Sequence, residues 1–191
     1  MNRLFPIFLK LETLDVLLVG GGNVGLEKLT AMLGNSPEAR VTVVADRFLD
    51  ELREWVARKP NVVLVERKFE FSDLDERDLV ILATDNPTLH ESIKRVTGER
   101  RILTNVADTP ALCDFYLGSI VQKCDLKIAI STNGKSPTVA RRLREFLTDL
   151  IPDEIDDLLA HVTAYRDQLK GDFQEKIRQL NELTKSLVTK K

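Results

Sequence analysis

Short apolar runs alternate with longer segments of helical period through the first half of the chain. The short runs are rich in β-branched residues, whereas the longer segments space their apolar residues as surface helices do. This alternation predicts a parallel sheet with helices on both faces, a doubly wound α/β fold. The predicted strands are Asp15–Gly20, Val41–Ala45, Val62–Val65, Leu79–Thr84 and Ile102–Val106, and the predicted helices are Val24–Leu33, Phe48–Arg58 and Pro87–Gly98.

The pattern changes after Val106. The runs 114–121 and 126–131 are β-like with no helix between them, which indicates a hairpin-like pairing. From Ser136 onward the chain has helical period in about three segments, separated at Ile151-Pro152 and at 170–172. We expect the last segment, 173–188, to pack on its own sheet or on a partner chain, because it carries one apolar stripe. That stripe consists of Phe173, Ile177, Leu180, Leu183 and Leu187.

A glycine-rich turn joins the first predicted strand to the first predicted helix. It runs Gly20-Gly21-Gly22-Asn23-Val24-Gly25 and matches the G-x-G-x-x-G pattern of Rossmann-type dinucleotide-binding domains. In that pattern Gly20 permits the tight turn, Gly22 lets the backbone approach a pyrophosphate, and Gly25 allows close packing of helix on strand. The N–H groups at the helix start, around Asn23 and Val24, are then available to the phosphates.

The residue after the second strand bears on the choice of cofactor. Asp46 lies 21 residues past Gly25, where a carboxylate can accept hydrogen bonds from ribose hydroxyls and would repel a 2′-phosphate. This favours NAD over NADP, although the adjacent Arg47 weakens that preference. Asp46 could alternatively be a turn residue or the N-cap of the helix that follows. The loops after strands four and five, which contain Thr84 and Asp108, should lie at the nicotinamide end of the site.

Composition excludes some classes of protein. The chain has 191 residues with 28 Lys+Arg against 30 Asp+Glu, so it is not a polybasic nucleic-acid-binding protein. No apolar run is long enough for a membrane span, and the first residues lack the apolar region and cleavage site typical of a secretory leader, so we expect a cytoplasmic protein without one. Cys113 and Cys124 match neither a zinc site nor a disulfide framework, and we expect both to be buried as small apolar residues.

Five motifs resemble the precorrin-2 dehydrogenase family of siroheme biosynthesis, which includes the amino-terminal half of the multifunctional siroheme synthases. They occur in the family's order and are distributed over most of the length of residues 1–150. The matching segments are FPIF (5–8), VGGGNVGLEK (19–28), ATDNP (83–87), NVADTPALCDF (105–115) and ISTNGKSPTVARRLRE (130–145).

The resemblance implies NAD-dependent oxidation of precorrin-2 to sirohydrochlorin by a homodimer. We expect the chain to lack the methyltransferase domain of the multifunctional enzymes and to receive precorrin-2 from another protein. The family's essential aspartate falls on Asp108, where a carboxylate can take the proton that leaves or orient the macrocycle. Asp-Thr-Pro is also a good turn sequence. The family's cofactor positions fall on Asn23, Val24, Asp46 and Arg47, and Asp46 departs from the uncharged pair usual in relatives.

The substrate of that reaction carries eight carboxylates, so its pocket should be basic. One candidate is a polar loop that leads into a helix starting at Ser136-Pro137, with Ser131, Thr132, Lys135 and Ser136. The other is a pair of arginines on one face of that helix, Arg141 and Arg144. Alternatively the arginines form a solvated face paired with Glu145 and Asp149. These expectations divide the chain into an NAD-binding domain (1–112), a dimerisation region (113–147) and a helical C-terminal domain (148–191).

Two alternatives stay open. Some family members also insert Fe²⁺ to give siroheme, a lyase reaction for which Asp108 is the motif-supported candidate. His90 and His161 are more consistent with surface or packing roles than with metal ligation. The second alternative is a non-catalytic Rossmann module that senses NAD, which explains the glycine turn and Asp46 but not the motifs at 105–115 and 130–145.

Overall fold

The chain folds into two compact units. The structure is a computed structural model that describes residues 2–169 and 172–185. One unit comprises residues 4–117, and the other starts at Gly118. The division into domains at 1–112, 113–147 and 148–191 stays a prediction.

The first unit is built on a five-stranded parallel sheet with the strand order β3-β2-β1-β4-β5. This order and the helical connections between parallel strands confirm the predicted doubly wound α/β fold. The strands are β1 (Asp15–Val19), β2 (Arg40–Ala45), β3 (Val62–Glu66), β4 (Leu79–Leu82) and β5 (Leu103–Val106), and the helices are α1 (Asn23–Asn35), α2 (Asp50–Val56) and α3 (Pro87–Arg100).

A hydrophobic core lies on each face of this sheet. Because side chains alternate along a strand, Val16 and Leu18 of β1 pack on one face while Leu17 and Val19 pack on the other. The first face is covered by α1 and α2, and the second by α3, whose Ile93 is fully buried. Burial on both faces explains why the strands read as continuous apolar runs.

Two helix boundaries differ from the prediction. The helix predicted over Phe48–Arg58 is shorter, since Phe48 is buried in the core and Leu49 is the N-cap of α2. The helix predicted to stop at Gly98 continues to Arg100, and Arg101 ends it in the left-handed conformation with φ 61°.

The strand predicted over Asp114–Val121 was wrong in its first half. Asp114 instead anchors an irregular segment to β5, because its N–H donates to the Thr104 carbonyl (2.8 Å) and its carboxylate accepts from the Thr104 N–H (2.9 Å). Lys94 of α3 donates to the same carboxylate.

The two cysteines differ in exposure, so the expectation that both are buried was wrong for one of them. Cys113 is half-buried against the backbone of Val106, with which its sulfur makes 3.2 Å contacts. Cys124 is exposed at a hairpin turn, with φ 46°.

The second unit begins with the predicted hairpin. Its strands are antiparallel, and α4 packs on the first of them. The predicted run of about three helices is confirmed over the described residues, but Leu187 and Val188 lie outside them. No helix in the described part of the chain has the length and apolar character needed to cross a membrane. The elements are β6 (Ser119–Lys123), β7 (Leu126–Ile130), α4 (Pro137–Leu150), α5 (Ile155–Gln168) and α6 (Phe173–Thr184).

Candidate functional site

The carboxyl ends of four neighbouring strands in the first unit bring the predicted cofactor residues to one edge of the sheet. Gly20 follows β1, Asp46 follows β2, Thr84 lies just after β4, and Asp108 lies just after β5. Backbone hydrogen bonds hold these strand ends together: Gly20 N–H to Val44 O (2.9 Å), Ala83 N–H to Val19 O (2.8 Å) and Ala107 N–H to Leu82 O (2.9 Å).

Close backbone contacts explain three of the glycines. A Cβ at Gly20, whose φ is 130°, would lie 2.3 Å from the carbonyl oxygen of Ala83. At Gly25 it would lie 2.3 Å from the carbonyl oxygen of Gly20, so the helix can start this close to the strand only with glycine there. The same holds for Gly21 against the Arg47 carbonyl, also at 2.3 Å. The G-x-G-x-x-G pattern assigns no role to Gly21, because the contact with Arg47 comes from the loop after β2.

Gly22 differs from the other three glycines of the turn. A Cβ built there meets no atom within 4 Å, and the residue is exposed at the N-cap of α1. Gly22 has no side chain to cap the helix, and within the described chain the N–H groups of Asn23, Val24 and Gly25 make no hydrogen bond. The open space and the free donors fit the pyrophosphate of a dinucleotide.

Asp46 and Arg47 are both exposed after β2. The alternative in which Asp46 caps the following helix was wrong, since α2 starts four residues later behind Leu49. Among the residues that the structure describes, the Asp46 carboxylate makes no hydrogen bond or ion pair, so its oxygens are available to ribose hydroxyls. Arg47 makes none with its side chain either, and its backbone carbonyl packs against Gly21.

Thr84 is held by a buried histidine. The Thr84 Oγ1 lies 2.8 Å from His90 Nε2 and accepts from the Asn86 N–H at 3.4 Å. His90 is 4% exposed in the first half of α3. Burial lowers the pKa of His90, while the nearby Asp85 acts in the opposite direction. The packing role expected for His90 is therefore compatible with a defined contact at the cofactor edge, the edge of the sheet formed by the carboxyl ends of β2, β1, β4 and β5.

Asp108 lies in a tight turn directly after β5. Its φ of 56° is left-handed, and the Thr109 N–H donates to the Val106 carbonyl at 3.3 Å across the turn. Such a conformation is uncommon for residues other than glycine, although Asp and Asn tolerate it best. Asp108 is exposed, and the Cys113 sulfur contacts both Val106 and Thr109 beneath the turn. A turn role and a catalytic role for Asp108 are therefore compatible.

The polar loop in the second unit is built around Thr132. Its hydroxyl donates to the Ser136 carbonyl (3.1 Å) and accepts from the Ser136 N–H (3.2 Å), while Ser131 Oγ accepts from the Asn133 N–H (3.2 Å). Ser136 caps α4 by accepting from the Val139 N–H, as its sequence context predicts. Lys135 is exposed in this loop, which α4 follows directly.

The arginines of α4 fall between the two interpretations. Arg141 and Arg142 both bond Glu145, at 3.0 and 2.8 Å, and these two contacts lower the pKa of Glu145. Arg144 is half-buried, and its guanidinium makes no ion pair with any residue of the described chain. Arg141 is therefore paired as in the solvated alternative, whereas Arg144 has its donors available.

The described ranges 2–169 and 172–185 contain no preformed metal site. No group of three or more His, Cys, Asp or Glu side chains there is arranged to hold a metal ion. His161 is exposed on α5 and belongs to no such group within those ranges.

The parallel sheet, the glycine turn and the free acid after β2 together define a Rossmann-type dinucleotide-binding domain. The chain belongs to the NAD(P)-binding family whose model, NAD_binding_7, matches residues 7–119. A second family model, "Sirohaem biosynthesis protein central", matches residues 125–150. The resemblance read from the five motifs is thereby confirmed.

Curated relatives and a solved structure agree with this assignment. The chain is 39% identical over 167 residues to the siroheme synthase of Thioalkalivibrio sulfidiphilus, covering 87% of this chain and 34% of that protein. It is 38% identical over 169 residues to the siroheme synthase of Pseudoalteromonas translucida, covering 88% and 35%. The chain thus spans about a third of these relatives' length. A solved precorrin-2 dehydrogenase, SirC, shares the fold with a TM-score of 0.73 and 23% identity, over 94% of this chain and 89% of that one.

Proposed function

We propose that this protein oxidises precorrin-2 to sirohydrochlorin with NAD in siroheme biosynthesis. The observation that carries the proposal is the 39% identity to a siroheme synthase, which extends through both compact units rather than only the nucleotide turn. The geometry of the first unit supplies the dinucleotide site, with an exposed carboxylate just after β5.

The reaction removes two hydrogens from a ring of the macrocycle. NAD, when bound, supplies the hydride acceptor. The chain then has to fix the dinucleotide and the substrate carbon in register and take up the proton that leaves. The glycine turn with Asn23 and Val24 would hold the pyrophosphate and Asp46 the ribose, while Asp108 would receive the proton or orient the ring. For a substrate with many carboxylates, the second unit offers the polar loop 131–136 and the available guanidinium of Arg144, whereas Arg141 would first have to exchange its pairing with Glu145.

An anaerobic assay with precorrin-2 and NAD tests the proposal. Sirohydrochlorin, followed by its absorbance, should appear only when the protein and the cofactor are both present. Absence of turnover with either NAD or NADP would overturn the proposal. Addition of Fe²⁺ or Co²⁺ to the same reaction shows whether the chain also accelerates metal insertion.

Replacing Asp46 should weaken the preference for NAD over NADP. Asp46→Asn removes the repulsion of a 2′-phosphate and weakens the hydrogen bonds to the ribose. The ratio of the Kd for NADP to the Kd for NAD should therefore fall about tenfold, or ~1.4 kcal/mol. Titration with NAD and with NADP measures both constants. The control is Asp50→Asn, an exposed acid of α2, and an unchanged ratio in Asp46→Asn would remove Asp46 from the ribose site.

The active protein is, in our proposal, a homodimer that forms through α4. Four large apolar residues of this helix lie on one stripe and are 43–62% exposed, which is unusual for a surface helix. A second copy of the chain would cover the stripe, and the family resemblance implies a homodimer. The stripe consists of Val139, Leu143, Phe146 and Leu150.

A charge placed on that stripe should separate the dimer. Phe146→Glu puts a carboxylate at a site where the dimer would be apolar, so the mass in solution should fall from two chains to one. Light scattering coupled to gel filtration measures the mass. Phe71→Glu, at an exposed Phe of the first unit, serves as the control. A wild-type protein that is already monomeric would overturn the dimer. We further propose that this enzyme acts in the cytoplasm.

A further inference from the structure

His90 is a buried polar side chain to which the proposed chemistry assigns no task. It is one of four buried polar residues in the described chain. Two of the others, Thr97 and Thr104, bond each other at 2.7 Å, and Asn105 bonds the Phe115 carbonyl at 2.8 Å. His90 alone of these four directs its hydrogen bond to a loop residue at the cofactor edge, Thr84.

The contact restricts how the Thr84 hydroxyl can bond to anything else. A threonine hydroxyl has one donor and two acceptor positions. The imidazole takes one of these positions at 2.8 Å, and the Asn86 N–H takes an acceptor position at 3.4 Å. One position is left for a ligand at the edge where the dinucleotide binds. It is an acceptor if the hydroxyl donates to His90, and a donor if His90 donates to it.

The surroundings of His90 keep this contact intact. A neutral imidazole has one N–H and one lone pair, so either tautomer can bond the hydroxyl. Burial favours the neutral ring, and the Asp85 carboxylate on the same loop is the charged group that acts against burial. The backbone N–H of His90 donates to the Asn86 carbonyl at 3.1 Å, and Asn86 caps α3 through the Leu89 N–H. The start of α3 therefore fixes the ring relative to the loop.

We propose that His90 is a positioning residue for cofactor binding, which acts by holding the Thr84 hydroxyl in the orientation that bonds the nicotinamide riboside part of NAD. The inference rests on the proposed dinucleotide site. It assigns His90 a task through Thr84 and no direct contact with the cofactor.

A double-mutant cycle on the full chain tests the inference. His90→Leu removes the bond and keeps an apolar side chain of similar bulk, and Thr84→Val removes the hydroxyl at nearly constant shape. Each single variant should raise the Kd for NAD about fivefold, the equivalent of one hydrogen bond of ~1 kcal/mol. Because both changes remove the same interaction, the double variant should raise the Kd no further. His90→Gln, whose terminal amide reaches about as far as Nε2, should restore most of the affinity.

Other outcomes overturn the inference. An unchanged Kd in His90→Leu, or a double variant in which the two losses multiply, means that His90 does not act through Thr84. A purely structural histidine would lower the Tm without affecting the Kd, and Gln would bring no recovery. If His90→Leu does not fold, the cycle is run with His90→Asn, whose shorter amide stays polar but stops short of Thr84. A wild-type protein that binds neither NAD nor NADP would instead refute the proposed function.

Discussion

Asp108→Asn should lower the rate of precorrin-2 oxidation by about 10²- to 10⁴-fold, the usual contribution of a positioned acid or base. The side chain is exposed just after β5, at the edge of the sheet that carries the dinucleotide turn. Asn keeps the size of Asp and tolerates the left-handed φ of 56°, so the turn should persist while the carboxylate is lost. The Kd for NAD should stay within about twofold of that of the wild type.

The backbone at Asp108 decides which variants are informative. Alanine would be strained at this φ, so a loss of activity in Asp108→Ala would mix chemistry with a disturbed turn. Asp108→Gly relieves the strain and also removes the carboxylate, so it should be as inactive as Asp108→Asn. Asp125→Asn, at the exposed hairpin turn of the second unit, is the matched control. Near wild-type turnover in both Asp108 variants would exclude this residue as the acid or base.

The sheet of the first unit was predictable because its central strands β1 and β4 are buried on both faces, and β2 beside them is still mainly apolar. Runs such as DVLLVG and LVILAT read as strands without any partner being known. The strand order β3-β2-β1-β4-β5 was not predicted, because it depends on contacts between strands far apart in the sequence. The run after Asp114 misled for a physical reason. Its apolar residues resemble a strand, but Asp114 bonds Thr104 and Lys94, and contacts between residues so far apart leave no local pattern.

At the cofactor edge, too, the residues of a local motif were predictable and the residues with distant partners were not. Gly20, Gly22 and Gly25 follow from a motif whose spacing is local, as does Asp46 at the end of the next strand. Gly21 and His90 do not, because their partners, the Arg47 carbonyl and the Thr84 hydroxyl, come close only in the fold. A short distance between Thr84 and His90 in the sequence, six residues, was the one available signal. The predicted helix start at Pro87 also lies between them, but it gave no sign that His90 is buried against Thr84.

One added methyl group should lower the stability of the protein at Gly25 and its affinity for the cofactor at Gly22. Gly25→Ala places a Cβ 2.3 Å from the Gly20 carbonyl oxygen, which is backbone and cannot move aside without shifting β1 from α1. Overpacking of this kind should cost about 3 kcal/mol of unfolding free energy and lower the Tm by roughly 10 °C. Thermal unfolding followed by circular dichroism measures this loss.

Gly22→Ala should leave stability nearly unchanged and abolish tight cofactor binding. Its Cβ meets no protein atom within 4 Å, and the φ of −89° suits any residue, so the unfolding free energy should change by less than about 1 kcal/mol. The added methyl group occupies the space beside the free N–H groups of Asn23 and Val24. A pyrophosphate pushed away from two such donors loses about 1.5 kcal/mol at each, so the Kd for NAD should rise about 100-fold. Gly34→Ala, in the same helix and equally unobstructed, should leave the Kd unchanged. Unaltered binding in Gly22→Ala would mean that the dinucleotide does not approach α1 at this residue.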